Sequence, residues 1–320
     1  MGIVGKMAGT ARAHVQSVGR SLTNVREARR RVAWPVHLEP STEGVAIVVV
    51  NYNGLEHMAR LLFSVFRVLD RRLVCRIVVV DNGSTDGSLA LLGEFASASM
   101  IELIESDGPP YHGPGLNRGI SYLASQPDIE KTVRYVWVLD SDAIVLRSDA
   151  LDVAVNALSG GAAAAAGQFF QGLAGITEGY AHLASLLIDP MLVWQPEVPP
   201  FQEHGDPGLK MQRYFWDHGL RMIDLPFFAN EYVLHLGFGT LSSVVSMKDR
   251  HNRYYDFAVR HTAETQGRTH HFHGNPRGSQ IFERFQELFR SEVPALEPRA
   301  LVDACRRNER VAVASSSPKI

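Results

Sequence analysis

Short runs of β-branched residues, separated by stretches of helical periodicity, constrain this chain more than any other feature. "VAIVVVN" from Val45 and "CRIVVVDN" from Cys75 are apolar without alternation. That pattern suits strands buried on both faces, as in a parallel sheet. Between them, Leu55 to Leu69 carries its apolar residues at helical spacing. The alternation continues through a helix at "SLALLGEFA", a third strand at "MIELIE", a helix opening at "GLNRGISYLAS" and a fourth strand at "YVWVLDSD". Such βαβαβ order predicts an α/β protein with an open, mostly parallel sheet flanked by helices.

The second half is less regular. "GAAAAAGQF" reads as a low-complexity tract or as a tightly packed strand beside a ligand. "DPMLVWQPEVPPFQEHGDPG" reads as an ordered loop region, "GLKMQRYFWDHG" as a helix ending on Gly219, and "LRMIDLPF" as the next strand. "YVLHLGFGT" follows, then a basic aromatic segment and helices at about 278–290 and 297–307. The expected divisions are a basic N-terminal extension over 1–44, a first half of the α/β domain over 45–145, a second half over 146–246 and a helical extension over 247–320.

A net charge of -2 leaves no footprint of nucleic-acid binding. Cys75 and Cys305 stand in no paired spacing, which argues against a disulfide framework and against zinc thiolates. The apolar runs are strand-sized, and the N-terminus lacks the apolar core of a secretion signal, so a cytoplasmic location is expected. Residues 1–40 are basic, with Ala8, Ala11, Val15, Val18, Leu22 and Val25 on one helical face. Such a helix either lies on an anionic membrane, here the inner face, or docks on its own domain or on a second copy in a homodimer.

Ligands of open α/β sheets bind beyond the carboxyl ends of the strands. The polar clusters sit there. Asn51, Tyr52 and Asn53 follow strand one, Asp81 to Ser84 follow strand two, and Asp140, Ser141 and Asp142 follow strand four. Two carboxylates one residue apart in a buried run are costly unless they reach solvent or hold a cation.

With these pieces in view, the chain resembles the family 2 glycosyltransferases of the GT-A fold, over roughly Val45 to His261. The matching segments are "VAIVVVNYNG", "IVVVDNGSTDGS", "GPGLNRGI", "VWVLDSDAIV", "GDPGLKMQRYFWDHGLRMIDLP" and "HLGFGT", in the family's order. The resemblance implies a Rossmann-like sheet with helical extensions at both ends, its nucleotide-sugar-binding half over 45–145 and its acceptor-binding half over 146–246. It also implies transfer of a sugar, hexosyl by expectation, from a nucleoside-diphosphate sugar to a saccharide, lipid-linked or small-molecule acceptor.

The leaving diphosphate calls for a divalent cation, Mn²⁺ or Mg²⁺. By resemblance Asp142 is its ligand and His235 a second, which favours Mn²⁺. His270, His271 and His273 are a competing histidine source. Asp140 and Ser141 are implied to face the nucleotide sugar, Asp81 the base, and Asn51, Tyr52 and Asn53 the same pocket, with uridine the leading nucleoside. Asn117 and Arg118 open a helix near the nucleotide, and a guanidinium at a helix start suits phosphate or base edges. The role of His112 is left open. Arg250, Arg253 and Tyr254 resemble the basic stretch that closes over the diphosphate, or form a solvated face.

The acceptor hydroxyl needs a base. Asp206 stands where the family places the second of two acids, but Gly205 replaces the first. Glu203 is near enough in sequence to substitute, and Asp206 could alternatively cap the following helix. A single in-line displacement inverts the anomeric centre. Two other readings are kept open. Nucleotidyl transfer normally brings a glycine-rich basic loop after strand one, where this chain has "NYNGLEHM". A non-catalytic nucleotide-sugar-binding module is favoured by Gly205 alone.

Overall fold

The computed structural model describes residues 31–35, 44–106, 111–159, 163–170, 179–203, 206–236, 276–307 and 310–313. Four strands stand side by side in parallel: β1 (Val45–Asn51), β2 (Val74–Asp81), β3 (Glu102–Glu105) and β4 (Tyr135–Asp140). Beyond β4 the sheet continues through β7 (Tyr180–Ile188), β6 (Ala163–Phe170) and β8 (Arg221–Asp224), in the order β3-β2-β1-β4-β7-β6-β8. β7 runs antiparallel to both neighbours, while β6 and β8 pair in parallel. The sheet is therefore mixed but mostly parallel, and strands from both expected halves share it. A short pair, β5 (Ala143–Val145) with β9 (Val233–His235), lies apart from it.

Alternation along β1 divides the core. Val45, Ile47 and Val49 face one side, and Ala46, Val48 and Val50 the other. The first side is covered by α1 (Leu55–Arg67), α2 (Ser88–Ser97) and α5 (Ala150–Ser159), with the C-terminal α8 (Pro276–Glu292) and α9 (Pro298–Arg306) packed outside α1. Phe63 meets Phe289 edge-on at 5.2 Å, and the buried Arg67 pairs with Glu292 at 2.9 Å. The expected C-terminal helices are thus integral to this core. The second side is covered by α3 (His112–Ala124) and α7 (Leu209–Asp217), with α4 (Ile129–Thr132) and α6 (Pro190–Val193) as single turns.

Helix α3 begins earlier than its composition suggests, at His112 rather than at Gly115. Pro114 stands in its first turn, where a missing N–H costs nothing. Glycine lets this helix sit unusually close to the sheet. A Cβ on Gly115 would stand 2.6 Å from Val50 Cγ1, and one on Gly119 would stand 2.7 Å from Val48 Cγ1. The close approach brings the N-terminus of α3 to the rim where β1, β2 and β4 end.

The expected helix over residues 1–40 lies outside the described residues, apart from 31–35. There Trp34 is buried, Trp194 Nε1 donates to Val32 O at 3.0 Å, and Arg31 stacks over Trp194 at 4.2 Å. That segment is docked on the chain's own domain. No helix among the described residues is long and apolar enough to cross a membrane.

Candidate active site

Strand register assembles the rim. Asn51 pairs with Asp81, and Val50 pairs with Asp140, so the polar residues that end three strands are neighbours. Asn51 Nδ2 donates to Asp81 Oδ2 at 2.7 Å and lies within bonding distance of Ser84 and Ser88 hydroxyls. Asp81 also accepts from the Gly83 and Ser84 amides and from Ser84 Oγ. Only 1% exposed, its carboxylate is engaged by the turn that follows β2. Asn53 takes a left-handed φ of 49°, which Asn tolerates, and accepts from Thr85 N at 2.7 Å. Tyr52 is half-buried beside them. Asn51, Asn53 and Asp81 are thus held by hydrogen bonds to one another or to the turn that follows β2.

Asp140, Asp142 and His235 converge at the next position along the rim. The β5–β9 ladder sets Ala143 opposite His235, and Leu236 N donates to Asp142 O at 3.1 Å. Ser64 of α1 fixes β5 in turn, its Oγ accepting from Val145 N at 3.0 Å. As a result His235 Nε2 lies 3.1 Å from Asp142 Oδ1 and 3.4 Å from Asp140 Oδ2. One ligand atom from each of the three residues falls within 4.8 Å of the others. Ligands about 2.1 Å from an octahedral cation stand about 3 to 4.2 Å apart, so this set fits a divalent ion.

The electrostatics agree with that fit. Burial alone would push the His235 imidazole down, yet Asp142 and Asp140 override it and raise its pKa to about 10. Burial likewise opposes ionisation of Asp140, but His112 and His235 hold its pKa below the ordinary value. Among the described residues the buried Asp140 Oδ1 receives no hydrogen bond, although His112 Nε2 stands 3.4 Å away. Two nearly buried carboxylates at one point draw in positive charge, and here a protonated imidazole supplies it. Ser141, between them, is 8% exposed.

The two residues expected at the start of α3 differ in what they do. Asn117 grips the backbone of Phe201, donating to its O at 2.8 Å and accepting from its N at 3.0 Å. Its amide is spent on holding the loop that leads to Asp206. Arg118 instead has a buried Nη1 without a hydrogen-bond partner among the described residues.

Asp206 lies just before α7, whose N-cap is Gly208 with no side-chain cap. One carboxylate oxygen accepts from Gly208 N at 3.2 Å and from the Tyr180 hydroxyl. Burial, with the Asp140 charge added, pushes its pKa up to about 6 despite the Gly208 bond. Glu203 is half-buried nearby in the chain. Gly205, the stretch containing Arg250, Arg253 and Tyr254, and His270, His271 and His273 lie outside the described residues.

Sequence reasoning left His112 without a role and passed over His182 and Tyr180. His112 faces Asp140, His182 on β7 lies 5.1 Å ring to ring from His235, and Tyr180 reaches Asp206. Burial, reinforced by His235, lowers the His182 pKa to about 4. Nothing local in the sequence marks His182 or Tyr180, because β7 itself has no strand signature.

The model of glycosyl transferase family 2 matches residues 46–218. The chain belongs to that family. The matched span ends at the close of α7, so it takes in the DSD motif and Asp206 but not His235. No curated protein matches the chain significantly. Among solved structures, one similar protein is the mannosyltransferase PcManGT from Pyrobaculum calidifontis, in complex with GDP-Man and Mn²⁺. It shares 16% identity over 92% of this chain and 96% of that one, with a TM-score of 0.45. Another is glucosyl-3-phosphoglycerate synthase from Mycobacterium tuberculosis, at 16% identity over 60% and 76% of the two chains and a TM-score of 0.42. TarS 1-349 from S. aureus, in complex with UDP-GlcNAc, shares 19% identity over 42% of this chain and 36% of that one, with a TM-score of 0.32. These likenesses are loose, and the assignment rests on the family match.

Proposed function

We propose that this family 2 glycosyltransferase is metal-dependent and inverting, moving a hexosyl group from a nucleoside-diphosphate sugar, with UDP the leading nucleotide, to an acceptor hydroxyl. The observation that carries the reading is the convergence of Asp140, Asp142 and His235 at the carboxyl rim of the parallel strands. Asp142 and His235 would hold a cation there, and their oxygen–nitrogen set favours Mn²⁺ over Mg²⁺. When bound, the ion supplies positive charge to the departing diphosphate.

The chain's own residues do the rest. Asn51, Asn53 and Asp81 form the rigid wall against which the base packs, with Tyr52 offering a ring beside it. Asp140 and Ser141 border the donor. Arg118, whose buried Nη1 has no hydrogen-bond partner among the described residues, takes a phosphate or a base edge. Asn117 serves the site through the loop it clamps. Asp206 accepts the proton of the acceptor hydroxyl, and its pKa near 6 suits a base working close to neutrality. Peripheral association with the membrane through residues 1–40 stays part of the proposal, as does a cytoplasmic location.

Incubation of the full chain with UDP-glucose and Mn²⁺ tests the reading. Release of UDP, lost in Asp206→Asn while UDP binding persists, supports it. Release of glucose 1-phosphate in place of UDP points to nucleotidyl transfer, and turnover undiminished by EDTA contradicts the metal role.

A further inference from the structure

Tyr180 opens β7 with its side chain wholly buried, and its hydroxyl donates to Oδ1 of Asp206. Gly208 N donates to that same oxygen. Among the described residues, Oδ2 takes no hydrogen bond.

The surrounding backbone is built to hold this aim. Gln212, fully buried on α7, receives a bond from Ala181 N at 2.8 Å and returns one to Ala181 O at 2.7 Å. Trp216 Nε1 donates to Gly179 O at 3.1 Å, fixing the residue on the other side of Tyr180. The loop carrying Asp206 also lies tight against β7. A Cβ on Gly208 would stand 3.0 Å from the Tyr180 hydroxyl and 2.9 Å from Leu183 Cδ2. A buried phenol without a polar partner is costly, so this contact is specified on both sides.

We infer that Tyr180 is the positioning residue for Asp206: it ties down Oδ1 and leaves Oδ2 as the oxygen that takes the acceptor's proton. The inference rests on Asp206 as the base and deepens that reading. In the step, the acceptor O–H proton passes to Oδ2 as the acceptor oxygen bonds to the anomeric carbon. The bond from that carbon to the diphosphate oxygen breaks, and its electron pair leaves with the nucleoside diphosphate. A donor to the ionised carboxylate also makes it a weaker base, opposing burial and the Asp140 charge. Asp140, at the end of β4, is the charged group acting across the site, and Tyr180 is the titratable side chain in contact from β7.

The test uses the full chain labelled with [¹³Cγ]aspartate, with the Asp206 signal identified by its loss in Asp206→Asn. The expected midpoint is near pH 6 in the parent protein. In Tyr180→Phe it moves up by about one pH unit, the shift expected on losing one bond to a charged group. The acid limb of UDP release from UDP-glucose moves with it, while UDP affinity holds. With 3-fluorotyrosine at position 180, a stronger donor of nearly the same shape, the midpoint moves down. Superimposable titrations in all three proteins overturn the positioning role and leave the base untouched. UDP release that survives Asp206→Asn overturns the base and this inference together.

Discussion

His235 Nε2 lies 3.1 Å from Asp142 Oδ1, joined by a three-residue ladder between strands far apart in the chain. Neither residue is more than 6% exposed. Each carboxylate beside the imidazole is costly to bury alone, and together they demand a cation. In the metal-free chain that demand falls on His235, which is why its pKa stands near 10.

Removing the imidazole leaves that demand unmet. In EDTA, His235→Ala is expected to be less stable than the parent by about 3 to 5 kcal/mol, the usual cost of stranding a buried charge. Denaturant melts in EDTA measure it directly. Equal midpoints for the two proteins would show that the acids are not relying on His235.

The adjacent residues on α3 are expected to separate binding from stability. Arg118→Ala weakens UDP binding by about tenfold or more, since a charge-assisted hydrogen bond contributes about 1.5 to 3 kcal/mol. Asn117→Ala costs about 2 kcal/mol of stability through its two bonds to Phe201, with a smaller effect on UDP. Calorimetry and melts on both variants check the split, and the reverse pattern would exchange the two roles.

Asp206 makes stability and activity oppose each other. Its folded-state pKa, about 6, lies above the ordinary 3.8, so the native state holds the proton more tightly than the unfolded chain does. That contribution to stability is complete below about pH 4 and is lost as pH rises through about 6. Above it, the ionised carboxylate costs about 2 to 3 kcal/mol. Asp206→Asn should therefore raise the melting temperature by several degrees at about pH 7.5 and change it little at about pH 4. A stabilisation independent of pH would contradict this origin.

The parallel half of the fold was legible because β1, β2 and β4 are buried on both faces and therefore read as unbroken β-branched runs. β7 was not. "YAHLASLLI" has the composition of a helix, and it is a strand because β4 and β6 both pair with it. The motifs at the strand ends located the rim, since a carboxylate in an apolar run is conspicuous wherever it occurs. What each polar group does there depended on partners that spacing cannot reveal. The Asp81 carboxylate turns inward onto Asn51 and Ser84, and Asn117 spends its amide on Phe201. His112 and Tyr180 gain their meaning from single contacts with Asp140 and Asp206. Those contacts arise from tertiary packing, which leaves no periodicity in the chain.

Calorimetric titration of UDP into the full chain, in Mn²⁺ and then in EDTA, bears most directly on the cation centre. Mn²⁺ is expected to tighten UDP at least about tenfold, the scale on which metal sites respond to lost ligands, and the gain should vanish in Asp142→Ala and in His235→Ala. Equal affinity in Mn²⁺ and EDTA, or a gain that both variants retain, would contradict the account.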